Sequence, residues 1–173
     1  MELLKDFNIK KYLDKKPPSD NSFTTMQEVK ELKKTPINKN FVKQKDDIRK
    51  AFGKIVDERK FMQKLIDESA PLLLKIKKHH DRPRPYELDK SLKAVKMDSM
   101  DTPSYPSGHS AQGILIGMAL SDKYPSKKTK LMKIAKDISK SRNIAHAHYK
   151  SDSKFGEQIG KDMYNHIKNK LWE

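Results

Sequence analysis

The chain contains no cysteine, so a disulfide framework and a thiolate metal site are both excluded. It also lacks a long apolar run. The longest covers residues 113–120, far short of the ~20 residues that cross a bilayer. Residues 1–16 are interrupted by charge every few positions and hold no signal-peptide apolar stretch. These absences predict a protein without membrane insertion, and a cytoplasmic one as the sequence is written. A removed leader would make it periplasmic or secreted. Strand signals are sparse too, with no alternating run rich in Val, Thr or aromatics. Nothing repeats at a fixed period, and no carboxylate-rich cluster suggests a metal site.

What is present is helix pattern and positive charge. The 173 residues suit one domain, 1–173, with a real core. Hydrophobic and charged residues each make up 35%, and 38 Lys plus Arg against 23 Asp plus Glu leave a formal charge of +15. Such a surface attracts anions, whether small phosphorylated molecules, nucleic acid or anionic lipid, and does not choose among them.

Helical periodicity recurs along the chain. A short first helix runs into a loop around Pro17 and Pro18. Thr25 and Glu28 predict a capping box, and Thr35-Pro36 the next helix start. Ile48, Phe52, Ile55 and Val56 share a face. Phe61, Leu65 and Ile66 belong to a helix that Pro71 is expected to kink or restart. Residues 81–105 read as a loop. A helix opening near Ser107 is apolar almost all round and therefore central and buried. Leu131 to Ile138 and Phe155 to Ile167 supply two more faces. The expected fold is an all-α bundle, with helices in residues 1–70 packed around a catalytic part in 77–152.

Three polar clusters fall at helix ends and loops: Lys77 with Arg84-Pro85, then Pro106-Ser107-Gly108-His109, then Ser141-Arg142 with His148 and Asp152. Lys77, Arg84 and Arg142 are permanent cations, two of them planar forks suited to paired phosphate oxygens. Arg142 lies four residues after Ile138, on an apolar face where an unpaired guanidinium is costly; a bound anion would resolve the conflict. Ser107 and Gly108 open the buried helix, where free backbone amides make an anion site. Gly108 is expected to allow close backbone approach, and the Ser107 hydroxyl to donate a further hydrogen bond.

In order and spacing, these clusters resemble the signature of the type-2 phosphatidic acid phosphatase and vanadium haloperoxidase superfamily: Lys-x6-Arg-Pro, Pro-Ser-Gly-His and Ser-Arg-x5-His-x3-Asp. Within it, the chain looks most like the bacterial class A non-specific acid phosphatases. The resemblance implies a single-domain helical bundle of that type. It also implies hydrolysis of phosphomonoesters, nucleoside monophosphates among them, through a phosphohistidine. His148 would then be the nucleophile, Asp152 would hold its far ring nitrogen, and His109 would serve as acid and then base. Lys77, Arg84, Ser107, Gly108 and Arg142 would bind phosphate. No cofactor or metal is implied, and vanadate should bind as a phosphate mimic. The chain departs from the class A pattern at His146, where glycine is usual, at Tyr86 for Phe, and at Lys150 for Pro. His146 beside the nucleophile would narrow the site or add a phosphate contact.

Plainer readings exist for each residue. Lys77 belongs to a lysine-rich chain, Arg84-Pro85 fits an extended turn, and Pro-Ser-Gly fits a cap over a satisfied His109. Asp152 fits a helix N-cap, or both roles at once. Ser141 reads as structural, holding the adjacent loop. His79, His80 and His146 lie outside the motifs and make no metal site. Rival functions are a vanadium-dependent haloperoxidase, a membrane-lipid phosphatase and a basic nucleic-acid-binding protein. The first is generally larger, the second needs membrane-spanning helices, and the third lacks a binding motif and interleaved aromatics. The expected partner is a small phosphorylated substrate, with self-association left open. A protonated His109 predicts best activity below neutral pH.

Overall fold

A computed structural model describes residues 1–172 and contains no strand among them. Among the described residues nine α-helices follow in order: α1 (Lys10–Leu13), α2 (Phe23–Lys34), α3 (Lys39–Asp46), α4 (Ile48–Gly53), α5 (Arg59–His80), α6 (Pro85–Leu88), α7 (Gly108–Lys123), α8 (Lys128–Ile144) and α9 (Lys150–Ile167). The fold is all-α, as the periodicity predicted. No helix of the described residues is long and apolar enough to cross a membrane.

The core is built on α7. Ala111, Ile114, Leu115, Ile116, Ala119 and Leu120 are shut off from solvent, so this helix needs apolar residues all round rather than along one stripe. Helices α8 and α9 pack on it from two sides. Two glycines of α9 permit unusually close approach. A Cβ at Gly156 would collide with the Ser107 carbonyl oxygen, and one at Gly160 with that of Ala111. The backbones nearly touch there, and the start of α9 lies against the start of α7. Trp172 closes the opposite end, donating from Nε1 to the Ala119 carbonyl at 3.1 Å and packing on Phe61.

Local expectations in the N-terminal half need correction. Helix α2 begins three residues earlier than the Thr25–Glu28 pattern predicts. Ser22 is its cap, and the Ser22 oxygen accepts the Thr25 N–H. Glu28 is thereby freed for a tertiary contact with Ser151. Helix α3 starts at Lys39 under an Asn38 cap rather than at Pro36. Helix α5 neither restarts nor ends at Pro71 but runs through it. Pro71 is exposed, so water can satisfy the carbonyl left without its usual donor. The stretch 81–105 is not loop alone, since it holds α6 and a 3-10 turn, Asp98–Asp101.

Candidate active site

Helix ends deliver the three clusters to one end of the bundle. Helix α5 closes at Asp81 in a left-handed conformation (φ 49°), its N–H bonded to the Lys77 carbonyl at 2.8 Å. That turn points the chain back across the bundle, and Pro85 starts α6 immediately, which places Arg84 at the helix entrance. Lys77 sits in the last turn of α5, Ser107 to His109 at the start of α7, and Arg142 in the last turn of α8. His148 and Asp152 flank the start of α9.

The α8–α9 connection is tight: the N–H of Ala145, His146 and Ala147 return to the carbonyls of Ser141, Asn143 and Arg142. His146 takes φ 58° there, a backbone state that favours glycine. Its ring does not enter the site. Nε2 lies 2.8 Å from the Thr35 carbonyl oxygen, so His146 neither narrows the cup nor adds a phosphate contact. The Ser141 hydroxyl bonds within its own helix, to the Ile138 carbonyl, while its carbonyl accepts the Ala145 N–H of the adjacent connection.

Asp152 does two jobs. From the third position of α9 its Oδ2 accepts the Tyr149 N–H at 3.0 Å, so Tyr149 is the cap residue and Asp152 serves the cap from inside the helix. The same oxygen lies 3.1 Å from His148 Nδ1 and accepts the Ser104 hydroxyl; Oδ1 accepts from Arg82 Nη1 at 2.8 Å. Burial pushes the Asp152 carboxyl up to about 6, against the pull of Arg82 and the Ser104 hydroxyl.

The tautomer of His148 follows from its neighbours. Arg84 Nη1 stands 2.8 Å from His148 Nε2, and a guanidinium can only donate. Nε2 therefore carries the lone pair, and Nδ1 carries the proton that goes to Asp152. Burial, followed by the charges of Arg84, Lys77 and Arg142, holds His148 well below the usual histidine range. It is a neutral, oriented imidazole.

The cations around it are buried and crowded. Arg84 donates to the carbonyls of Thr102 (2.9 Å), Ala147 (3.1 Å) and Ser99 (3.0 Å) and to the Thr102 hydroxyl (3.3 Å). With His148, these partners occupy all its donors. Lys77 Nζ donates to the Pro103 carbonyl at 2.9 Å, and burial with the nearby Arg84 pushes it down to about 7. Arg142 is not left to an anion. Its Nη1 meets Asp46 Oδ1 and its Nη2 the Ser99 hydroxyl, each at 3.1 Å, whereas Nε has no partner among the described residues. Burial still draws Arg142 down to about 10.

The start of α7 differs in detail from expectation. Ser107 Oγ accepts the Ser110 N–H as a helix cap, and the Ser107 N–H is committed to the Asp152 carbonyl at 3.0 Å. A Cβ on Gly108 would meet Lys77 Cε at 3.8 Å, an ordinary contact, so sterics alone do not demand glycine there. His109 Nε2 lies 2.8 Å from the Asp46 carbonyl oxygen and 3.5 Å from its carboxylate. Burial and the Arg142 charge push His109 down to about 3. It is neutral in this state.

No family model matches the chain. A curated relative does. The non-specific acid phosphatase of Salmonella typhimurium is 33% identical over 87 residues, covering 49% of this chain and 35% of that protein. The chain thus matches about a third of the relative's length.

Four contributors were missed by the motif reading: Arg82, Ser104, Ser99 and Asp46. Arg82 carries a signal in the doubled Arg82-Pro83-Arg84-Pro85, of which the motif includes only the second arginine. Asp46 carried almost none. Its partners lie far along the chain, and an acidic residue at a helix end looks like surface.

Proposed function

We propose that the chain is a phosphatase acting on phosphomonoesters by way of a phosphohistidine. The observation that carries this is the His148 imidazole, neutral, with Nδ1–H held by Asp152 and its Nε2 lone pair turned toward the cation cluster. Arg84 Nη1 sits on that lone pair, at the position phosphorus must take. Displacing it leaves the guanidinium against the equatorial oxygens of the transferred group, where charge must be held. Arg142 Nε and the remaining Lys77 protons supply further donors. The relative named as a non-specific acid phosphatase supports a phosphatase independently of the geometry.

In the reaction, His148 Nε2 bonds to phosphorus as the ester P–O bond breaks. His109, protonated once the phosphate dianion enters, gives its proton to the leaving alkoxide. Asp152 stabilises the imidazolium character that develops on His148. His109, now neutral, takes a proton from water as that water attacks phosphorus, which breaks the N–P bond and returns His148 with inorganic phosphate. The cations neutralise the phosphate without requiring a metal. Single-turnover trapping tests the scheme: labelled phosphate should attach to wild type at histidine and be absent from His148→Ala. Turnover of p-nitrophenyl phosphate by His148→Ala at the wild-type rate would end it.

A further inference from the structure

Arg82 is 2% exposed, a fully buried cation outside the three motifs. Its Nη1 donates to Asp152 Oδ1 at 2.8 Å and to the Ser151 hydroxyl at 2.7 Å; its Nη2 donates to Thr25 Oγ1 at 3.3 Å. The guanidinium lies 3.9 Å over the Tyr149 ring, and Glu28 of α2 completes its surroundings at 3.5 Å. Glu28 also accepts the Ser151 N–H at 2.7 Å. We propose that Arg82 is a positioning residue, clamping the Asp152 carboxylate in the orientation that receives the His148 Nδ1–H. The proposal rests on the phosphatase reading.

Among the described residues Asp152 Oδ2 has three donors, from His148, Ser104 and Tyr149, whereas Oδ1 has Arg82 alone. Without Arg82, Oδ1 is a buried, unpaired half of a carboxylate, and the group takes up a proton instead. Lys77 and Arg84 also act on Asp152 by charge, but no hydrogen bond from either reaches it. A protonated Asp152 no longer receives the His148 Nδ1–H as an anion, so it neither fixes the ring orientation nor stabilises positive charge on the imidazole.

The test compares Arg82→Met and Arg82→Lys in the whole protein. Readouts are the Asp152 carboxyl midpoint by carbon NMR without substrate, and the pH profile of p-nitrophenyl phosphate turnover. Arg82→Met should raise the midpoint by about 1–3 pH units. It should also lower kcat about 100-fold with little change in KM, because the imidazole is misplaced rather than the phosphate site. Arg82→Lys, keeping the charge, should shift less and recover part of the rate. Should the methionine variant fail to fold, the lysine variant decides: a wild-type midpoint and profile in it overturn the clamp. A wild type without phosphatase turnover sinks the functional reading instead, and an unmoved Asp152 midpoint then sinks the clamp separately.

Independently, the other side of the cup is shut by Asp46, at the corner between α3 and α4. Arg84, Arg142 and His148 are 1%, 0% and 3% exposed, so a substrate must displace something. Asp46 is the half-exposed member, its side chain 42% accessible. Its carboxylate holds Arg142 while its carbonyl oxygen holds His109 Nε2, and a carboxylate at a helix C-terminus is locally disfavoured. We infer that this corner is a gate in which Asp46 stands in for a phosphate oxygen, releasing Arg142 and His109 together when phosphate enters. This too rests on the phosphatase reading. Inorganic phosphate is the probe, measured by calorimetry alongside KM. Asp46→Asn keeps the shape and removes the charge, and should tighten phosphate about 5-fold by raising the fraction of open protein. Unchanged or weaker binding than wild type overturns the gate while leaving the phosphatase reading intact. Phosphate bound by neither protein sinks both.

Discussion

At the scale of residues, the site is a set of groups held away from their ordinary protonation states by burial and by each other. For the proposed reaction the free-enzyme pH profile follows from three of them, Asp152, Lys77 and His109. Asp152 must be ionised to hold His148, and its carboxyl lies at about 6; Lys77 must be protonated to hold phosphate, and its amine lies at about 7. Because His109, at about 3, must take up a proton as the substrate binds, the ratio kcat/KM, which reports the free enzyme, should fall above about 6 and more steeply above about 7. The alkaline limb of kcat should lie higher, because bound phosphate favours charged Lys77. A flat kcat/KM from pH 5 to 9 would contradict this. Lys77 also has a stability signature. Its folded-state value lies below the ordinary ~10.4 of an unfolded lysine. Between the two values the unfolded chain binds the extra proton, so this group's share of stability rises with pH there. Below about 7 its burial penalty is fully present. Lys77→Met should thus raise the melting temperature at pH 6, raise it less at pH 10, and abolish turnover. Thermal scans at the two pH values check the sign.

At the scale of elements, the close contact of α7 and α9 sets the geometry. The Ser107 N–H bonds to the Asp152 carbonyl because Gly156 and Gly160 let the two helices approach so nearly. Gly156→Ala must push the helices apart or distort α7, and should cost about 1–3 kcal/mol of stability. Because the shift falls between the Ser107 cap and Asp152, kcat should drop more than the stability loss explains. Denaturant unfolding beside turnover at a temperature where both proteins are folded separates the two effects. The end of α8 is a second such place, since the short return through His146 in its left-handed conformation carries the chain from Arg142 to His148. Here the class A pattern of glycine reads as a backbone requirement rather than as space for substrate.

At the scale of the whole molecule, burying several cations close together is costly, and a bound anion should offset that cost. Phosphate or vanadate at 100 times its dissociation constant should stabilise the fold by about 2.7 kcal/mol, visible as a melting shift that Lys77→Met lacks. The surrounding charge of +15 should add a long-range term. Accordingly, kcat/KM for anionic substrates should fall as ionic strength rises, with kcat less affected. Equal salt sensitivity of the two would argue against steering.

Much of this was legible in the chain. The central α7, its opening at Ser107, and the faces of α8 and α9 follow from apolar spacing, which is a local and periodic quantity. The cations and imidazoles follow from the spacing of three motifs. The helix starts differ from those expected at Thr25 and Pro36 because several polar residues there are equally able to cap, and which one does so depends on the tertiary partners of its neighbours. Glu28, expected as a capping partner, was claimed by Ser151 and Arg82.

Residue order alone thus determined that this protein is helical and which side chains carry charge at the ends of its helices. Only the tertiary structure decided how those charges are compensated. Arg142 is matched by Asp46, Asp152 by Arg82, and Arg84 by the carbonyls of residues 99, 102 and 147. The reason is that burial makes every charge seek a partner, and such partners are set by proximity in space between segments whose separation along the chain leaves no periodic trace.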